Sequence, residues 1–229
     1  MALRTSATLR GPEEITAAVH ALTARGLAPH RVWFKNWDLS LAISFISDQL
    51  PLTAAILDAG ARWSPILDRL ETLGFRKLFG CDLESSVRES LSRRLRRSSI
   101  RFIRCDLTQT PYEAASFDAA TCMSVIEHGV NVEAYVREMA RLLRPGGYLI
   151  TSTDFWCAPI NTAGIYPFGE AFGEMKVFQP DEIRELVGTA ERYGLRAPEP
   201  LDLECEEPVV YWPQVDRRYT FTFLVLRKQ

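Results

Sequence analysis

Three acidic residues, Asp58, Asp82 and Asp106, stand 24 residues apart (82 − 58 and 106 − 82). That interval is about one strand-helix unit, so all three return to the carboxyl edge of a parallel sheet. A carboxylate at the second strand end is placed to accept hydrogen bonds from ribose hydroxyls. One at the third can accept from an adenine amino group, with Leu107 packing on the base. A single strand-end aspartate more often caps a turn, but three in register point to an adenosine site. The turn Asp58-Ala59-Gly60 narrows the choice of ligand. A dinucleotide fold needs further glycines there for its pyrophosphate, and this chain has Arg62 and Ser64 instead. No G-x-x-x-x-G-K-[ST] run is present either, so a phosphate-cradling loop is excluded.

The elements that must position these acids are legible from residue 54 onward. Apolar residues 54–57 predict a buried strand, and 66–73 a helix ended by Gly74. Residues 78–81 predict the second strand. Leu83, Val87, Leu91 and Leu95 then recur every four residues as one helical stripe, whose outer side carries Arg88, Arg93, Arg94, Arg96 and Arg97 as a solvated basic face. Strands follow at 100–105 and 117–123. Val132, Tyr135, Met139, Leu142 and Leu143 predict a helix, which Arg144-Pro145-Gly146-Gly147 turns into a strand at 148–153. Residues 155–178 lose periodicity and are Gly- and aromatic-rich, the composition of a lid over an active site. A helix opens at Pro180 and ends at Gly194, and 219–226 alternates as a final strand that could pair antiparallel with 201–210. The fold class is therefore α/β, a Rossmann-like doubly wound, mostly parallel sheet with helices on both faces. Residues 1–50, with Ile15, Val19 and Leu22 and then Trp33, Phe34 and Trp37 near helical spacing, read as an N-terminal helical arm on the main domain, 51–229. That arm either staples onto the sheet or covers the site.

The chain has 229 residues, 47% hydrophobic and 24% charged, enough for one well-packed α/β domain. A net charge of −2 supplies no basic field for nucleic acid or an anionic membrane. Residues 1–12 show no apolar signal-like run, and no stretch approaches a membrane span, so a cytoplasmic protein is expected. Cys81, Cys105, Cys122, Cys157 and Cys205 form no C-x-x-C pair and suit reduced core thiols better than a disulfide frame or a zinc site.

Taken in order, Asp58-Ala59-Gly60, Asp82, Asp106-Leu107, Phe117-Asp118 leading to Glu127-His128, and Leu142-Leu143-Arg144-Pro145-Gly146-Gly147 resemble the motif series of class I S-adenosylmethionine-dependent methyltransferases. The resemblance implies a seven-stranded sheet with a C-terminal antiparallel hairpin, and S-adenosylmethionine as cofactor. It places Asp58 and Gly60 on the methionine and ribose side, Asp82 on the ribose and Asp106 and Leu107 on the adenine, with Ser124 also at the cofactor. The Thr-Asp-Phe-Trp run and the Ile-Tyr-Pro stretch resemble bacterial sugar O-methyltransferases of polysaccharide synthesis, including the mycobacterial methylmannose polysaccharide type.

Methyl transfer to a hydroxyl needs in-line positioning and a base. His128 is the expected general base, because an unperturbed imidazole titrates near working pH, with Glu127 orienting it or facing the sulfonium. Trp37, Asp154, Trp156, Asn161 and Tyr166 mix aromatic platforms with hydrogen-bonding groups, as a sugar or short oligosaccharide acceptor requires. A phenolic or amine acceptor, or a protein that binds the donor without methylating, are the alternatives. Some superfamily members bind a divalent metal through Glu-x-x-Glu-His. Here Ser124 replaces the first Glu, so Glu127, His128 and Asp154 offer a partial set and a metal is not favoured. A small-molecule partner is expected, with no nucleic acid and no membrane, and a homodimer is compatible.

Overall fold

The computed structural model describes residues 4–84 and 98–229. The strand-end motifs sit on a mostly parallel run of four neighbouring pairs: β2 (Ala55–Ala59), β3 (Lys77–Asp82), β4 (Ile100–Arg104), β5 (Phe117–Met123) and β6 (Leu143–Phe155). β9 (Arg217–Lys228) adds antiparallel to β6, and β1 (Ser6–Thr8) adds antiparallel to β9. The order is β1-β9-β6-β5-β2-β3-β4. Two short strands, β7 (Leu195–Arg196) and β8 (Val210–Trp212), also pair with β9. Strand order reverses between β2 and β5, and a cleft opens at their carboxyl ends, as sheet topology requires.

Each face of the sheet is covered by an apolar stripe. On one side lie α1 (Pro12–Ala24), α2 (Asn36–Gln49) and α3 (Ile66–Thr72), with Ile15, Leu22, Ile43, Ile46 and Leu70 buried. On the other lie α4 (Val132–Leu142) and α5 (Pro180–Arg192), which bury Tyr135, Met139, Ile183 and Leu186. Each such side chain contributes about 1.5–3 kcal/mol of transfer free energy. Asn131 caps α4 by accepting from the Ala134 N–H at 2.9 Å, and a capping box between Gln179 and Glu182 starts α5.

Several expectations change. The arm does not only carry helices, because β1 enters the main sheet. The strand predicted at 148–153 runs the full length of β6, its glycine turn absorbed as an irregularity of pairing between Phe117 and Ala119. Residues 201–209 are not a strand. They run beside β1, held by Ser6 Oγ and Thr8 Oγ1 on the carbonyls of Asp202 and Glu204 and by Arg10 on the Asp202 carboxylate, and pairing with β9 begins only at Val210. Cys157 and Cys205 form a disulfide that ties this segment to the root of the lid, against the expectation of thiols throughout, while Cys81, Cys105 and Cys122 are free. The spacing of two cysteines 48 residues apart carried no signal of their proximity. The predicted helix after Glu84, with its arginine cluster, falls largely on 85–97, outside the described residues. Among the described residues, no helix is long and apolar enough to cross a membrane.

Candidate active site

A cavity of about 700 Å³ occupies the switch point. Its first wall is the turn after β2. Gly60 has φ +85°, and a Cβ there would lie 2.3 Å from Val125 Cγ2, so only glycine fits this turn. The Gly60 and Ala61 N–H groups donate to the Cys81 carbonyl at 2.9 and 3.0 Å, which docks the turn on the end of β3. Asp82, the last residue of β3, presents its carboxylate to the cavity. It accepts from the backbone N–H of Arg62 and of Glu84, both at 3.1 Å, and burial raises its pKa. The Arg62 guanidinium pairs with Glu84 and stacks 5.0 Å from the centre of the Trp63 ring, which is 65% exposed at the rim. Leu83 and Leu107 give this wall an apolar surface. Carboxylate, glycine cradle and leucines together fit the ribose and adenine of S-adenosylmethionine. Gly60, Asp82, Leu83 and Leu107 would hold that half of the cofactor.

The opposite wall is a buried set of charges. Glu127, 1% exposed, accepts from Thr153 Oγ1 at 3.0 Å, and Asp154, 2% exposed, accepts from the Tyr219 hydroxyl. Asp38, at the start of α2, accepts from Ser152 Oγ at 2.7 Å. Lys35 crosses from the arm to Ser124 Oγ, its ammonium 4.1 Å from the centre of the Phe221 ring. Ser124 is held in the left-handed region, φ +54°, with its N–H on the Ser152 carbonyl at 2.9 Å. Burial pushes Glu127 up to about 7, with the Lys35 charge opposing. Burial, and then the neighbouring Glu127 charge, holds Asp154 well above the usual carboxylate range.

His128 lines the same cavity, edge-on to Phe168 with ring centres 4.7 Å apart. Burial, reinforced by Lys35, pushes it down to about 4. The expectation that its pKa lies near working pH is therefore corrected: the imidazole is neutral and weakly basic at pH 7, and the group titrating there is Glu127.

Not every predicted site residue reaches the cavity. Gly60, Asp82, Leu107, Ser124, Glu127, His128 and Asp154 line it. Asp58 does not. Its carboxylate turns between β2 and β5 to accept from Thr121 Oγ1 at 2.7 Å. Asp106 is exposed beside the cavity rather than in its lining, and its Oδ1 accepts from Thr108 N–H and Oγ1 at 2.8 and 2.7 Å. Trp37, expected at the substrate, is 2% exposed and belongs to the core, with its Nε1–H on Glu14 at 2.9 Å and its ring edge-on to Phe223. Trp156 packs on the same core, and Tyr166 is exposed on the lid and does not line the cavity. The lid instead contributes Phe168 and Phe172. It is sewn down by Lys176 N–H on the Glu127 carbonyl (2.8 Å) and Phe178 N–H on the Asp154 carbonyl (3.0 Å).

Lys35, Asp38 and Tyr219 were missed, as was the β8–β9 hairpin, which adds Tyr211 and Trp212 to the rim. Asp38 alone left a trace in the sequence, as an acid inside an otherwise apolar helical stripe. Among the described residues, no group of three or more His, Cys, Asp or Glu has a metal-holding arrangement.

Residues 57–151 match a family model described as a methyltransferase domain. Among curated proteins, a ubiquinone biosynthesis O-methyltransferase of Xanthomonas oryzae pv. oryzae (strain PXO99A) is 51% identical over 41 residues, 18% of this chain and 17% of that protein. A protein of the same name from Methylocella silvestris is 34% identical over 100 residues, 43% of this chain and 39% of its own. The chain thus matches well under half the length of these relatives. Among solved structures, the Burkholderia thailandensis 1,6-didemethyltoxoflavin-N1-methyltransferase, with S-adenosylhomocysteine bound, superposes with a TM-score of 0.61 at 20% identity, over 97% of this chain and 92% of that one. Geranyl diphosphate C-methyltransferase from Streptomyces coelicolor A3(2) gives 0.64 at 15% identity, over 93% and 87%. Residues 57–151 thus match a methyltransferase-domain model, and the chain shares the Rossmann-like α/β fold of these solved methyltransferases.

Proposed function

We propose that the chain is an O-methyltransferase that methylates a hydroxyl of a small acceptor held between the lid and the buried charge cluster. The observation that carries this reading is the facing of Glu127, fully buried and poised near neutrality, toward the cavity that Gly60 and Asp82 enter from the other side. When bound, S-adenosylmethionine supplies an electrophilic methyl group, whose bond to sulfur breaks as the acceptor oxygen bonds to carbon. Glu127 takes the hydroxyl proton, Thr153 orients its carboxylate, and Asp154 with Tyr219 hydrogen-bonds the acceptor. Phe168 and Phe172 exclude water above it. The name shared by the curated relatives supports transfer to oxygen.

The acceptor carries the finer part of the proposal. A sugar or short oligosaccharide is supported by the aromatic rim of Trp63, Tyr211 and Trp212 above buried carboxylates. A phenolic acceptor is supported by the apolar lining of Phe34, Met123 and Val125 around the same floor. Residues 1–50, an arm on the domain at 51–229, complete the site in either case. Labelled methyl donor with a panel of glycosides, phenols and amines tests the reading. Transfer to a hydroxyl is expected. Transfer only to amines would reassign the reaction, and donor binding without transfer across the panel would make the protein a non-catalytic binder.

A further inference from the structure

Lys35 ends a short 3-10 turn, Trp33–Lys35, that runs directly into α2 with helical backbone angles, φ −72° and ψ −3°. A cation near a helix N-terminus opposes the helix dipole. The backbone around it is nonetheless fixed. Asn36, 1% exposed, donates to the carbonyls of His30 and Trp33 and accepts from the His30 N–H at 2.7 Å. The ammonium is thereby held over the Phe221 ring inside the cavity. It carries three donors, and among the described residues it gives one hydrogen bond, to Ser124 Oγ. A cation set against the helix dipole, on a fixed backbone, with donors left over in a cavity lining is placed as a binding group.

We propose that Lys35 is the oxyanion contact of the acceptor, and that the acceptor is consequently a phenolic or enolic hydroxyl rather than a sugar alcohol. This rests on the reading of the chain as an O-methyltransferase. The acceptor O–H bond breaks, its proton passes to the Glu127 carboxylate, and the electron pair stays on the oxygen beside the Lys35 ammonium. A neighbouring opposite charge lowers a pKa by roughly 1–3 units. That brings a phenol, near 10 like tyrosine, within reach of a base at about 7. It leaves an aliphatic alcohol far out of reach. The other titratable groups facing this point are His30 before α2, Asp38 on α2, Glu127 and His128 after β5, Asp154 on β6 and Tyr219 on β9.

The test uses the full chain saturated with S-adenosylhomocysteine and titrated with 4-nitrophenol, whose ionised form absorbs in the visible. In the unmodified protein the bound phenol is expected to ionise with a constant at least about 10-fold above that in Lys35→Met, one pKa unit. Lys35→Arg should restore most of the difference. With a phenolic acceptor, Lys35→Met should lower kcat/KM by about 10- to 100-fold and leave S-adenosylhomocysteine affinity within about twofold, the range of a lost charge-assisted contact. Equal ionisation in both proteins, failure of 4-nitrophenol to bind, or turnover confined to sugar alcohols would overturn the inference while leaving the methyltransferase reading intact. Failure of the unmodified protein to bind S-adenosylhomocysteine would overturn that reading and the inference with it.

Discussion

At one end of the cavity, Gly60, Asp82 and Leu107 come from three successive strand ends, and their placement follows from the backbone: a left-handed turn, two amides on the Cys81 carbonyl, a carboxylate on the last residue of β3. At the other end, Lys35, Asp38, Glu127, Asp154 and Tyr219 come from the arm, the loop after β5 and two neighbouring strands, and their placement follows from tertiary burial. The first end is a property of sheet topology and works through shape and fixed hydrogen bonds. The second concentrates charge where water is excluded, so its chemistry depends on how burial redistributes protons. Under the proposed function, the first end takes the donor and the second selects the acceptor.

The sharpest way to break this division is Glu127→Gln. Turnover should fall by about 100-fold or more, the typical worth of a general base, while calorimetric titration with S-adenosylhomocysteine stays within twofold; matched losses in both would merge the two ends into one unit. In the unmodified protein kcat/KM should rise with pH to a limb near 7, set by Glu127, and the variant should lack it; a limb near 4 would instead assign the base to His128. Stability should move the opposite way. The folded-state value of Glu127 lies above its unfolded value, so its favourable contribution is full below about pH 4.5 and is lost as pH rises through about 7. The thermal midpoint should therefore drop from pH 5 to 8, and drop less in the variant.

A smaller effect is expected from Gly60→Ala, which places a Cβ against Val125 at a positive φ. Strain of about 1–3 kcal/mol should appear as weaker S-adenosylhomocysteine binding, with the pH limb of turnover unmoved. The smallest is Trp37→Phe. It removes the hydrogen bond to Glu14 and should cost about 1 kcal/mol in denaturant unfolding with acceptor KM unchanged; a raised KM would return Trp37 to the acceptor.

The same division explains what could be read from the chain. The 24-residue interval located the carboxyl edge because strand and helix lengths are local quantities, yet it did not separate Asp82, which faces the cavity, from Asp58, which bonds between strands, and Asp106, which is exposed on its own turn. The Arg144-Pro145-Gly146-Gly147 motif is structural in the same sense. Arg144 Nη1 meets Asp118 at 2.7 Å, and the other oxygen of Asp118 accepts from Ala55 N–H at 2.7 Å, which joins three strand starts. Trp37 and Trp156 were read as platforms because large aromatics serve cores and ligands alike, and only packing tells them apart. Lys35, Tyr219 and the Cys157–Cys205 link were silent because each depends on where β9 and the segment before it fold back, which no local pattern encodes.

β9 pairs with β1, β6, β7 and β8. Its register with β1 joins Ser6 to Leu224, so one of the longest loops in the chain must close before the sheet is complete. Synthesis makes β2 to β6 before β9. Phe221, the ring beneath Lys35, arrives with it. Until then β1 has no strand to pair with, and Lys35 lacks the ring it lies over. The order of translation thereby leaves this wall of the cavity incomplete until β9 brings Tyr219 and Phe221.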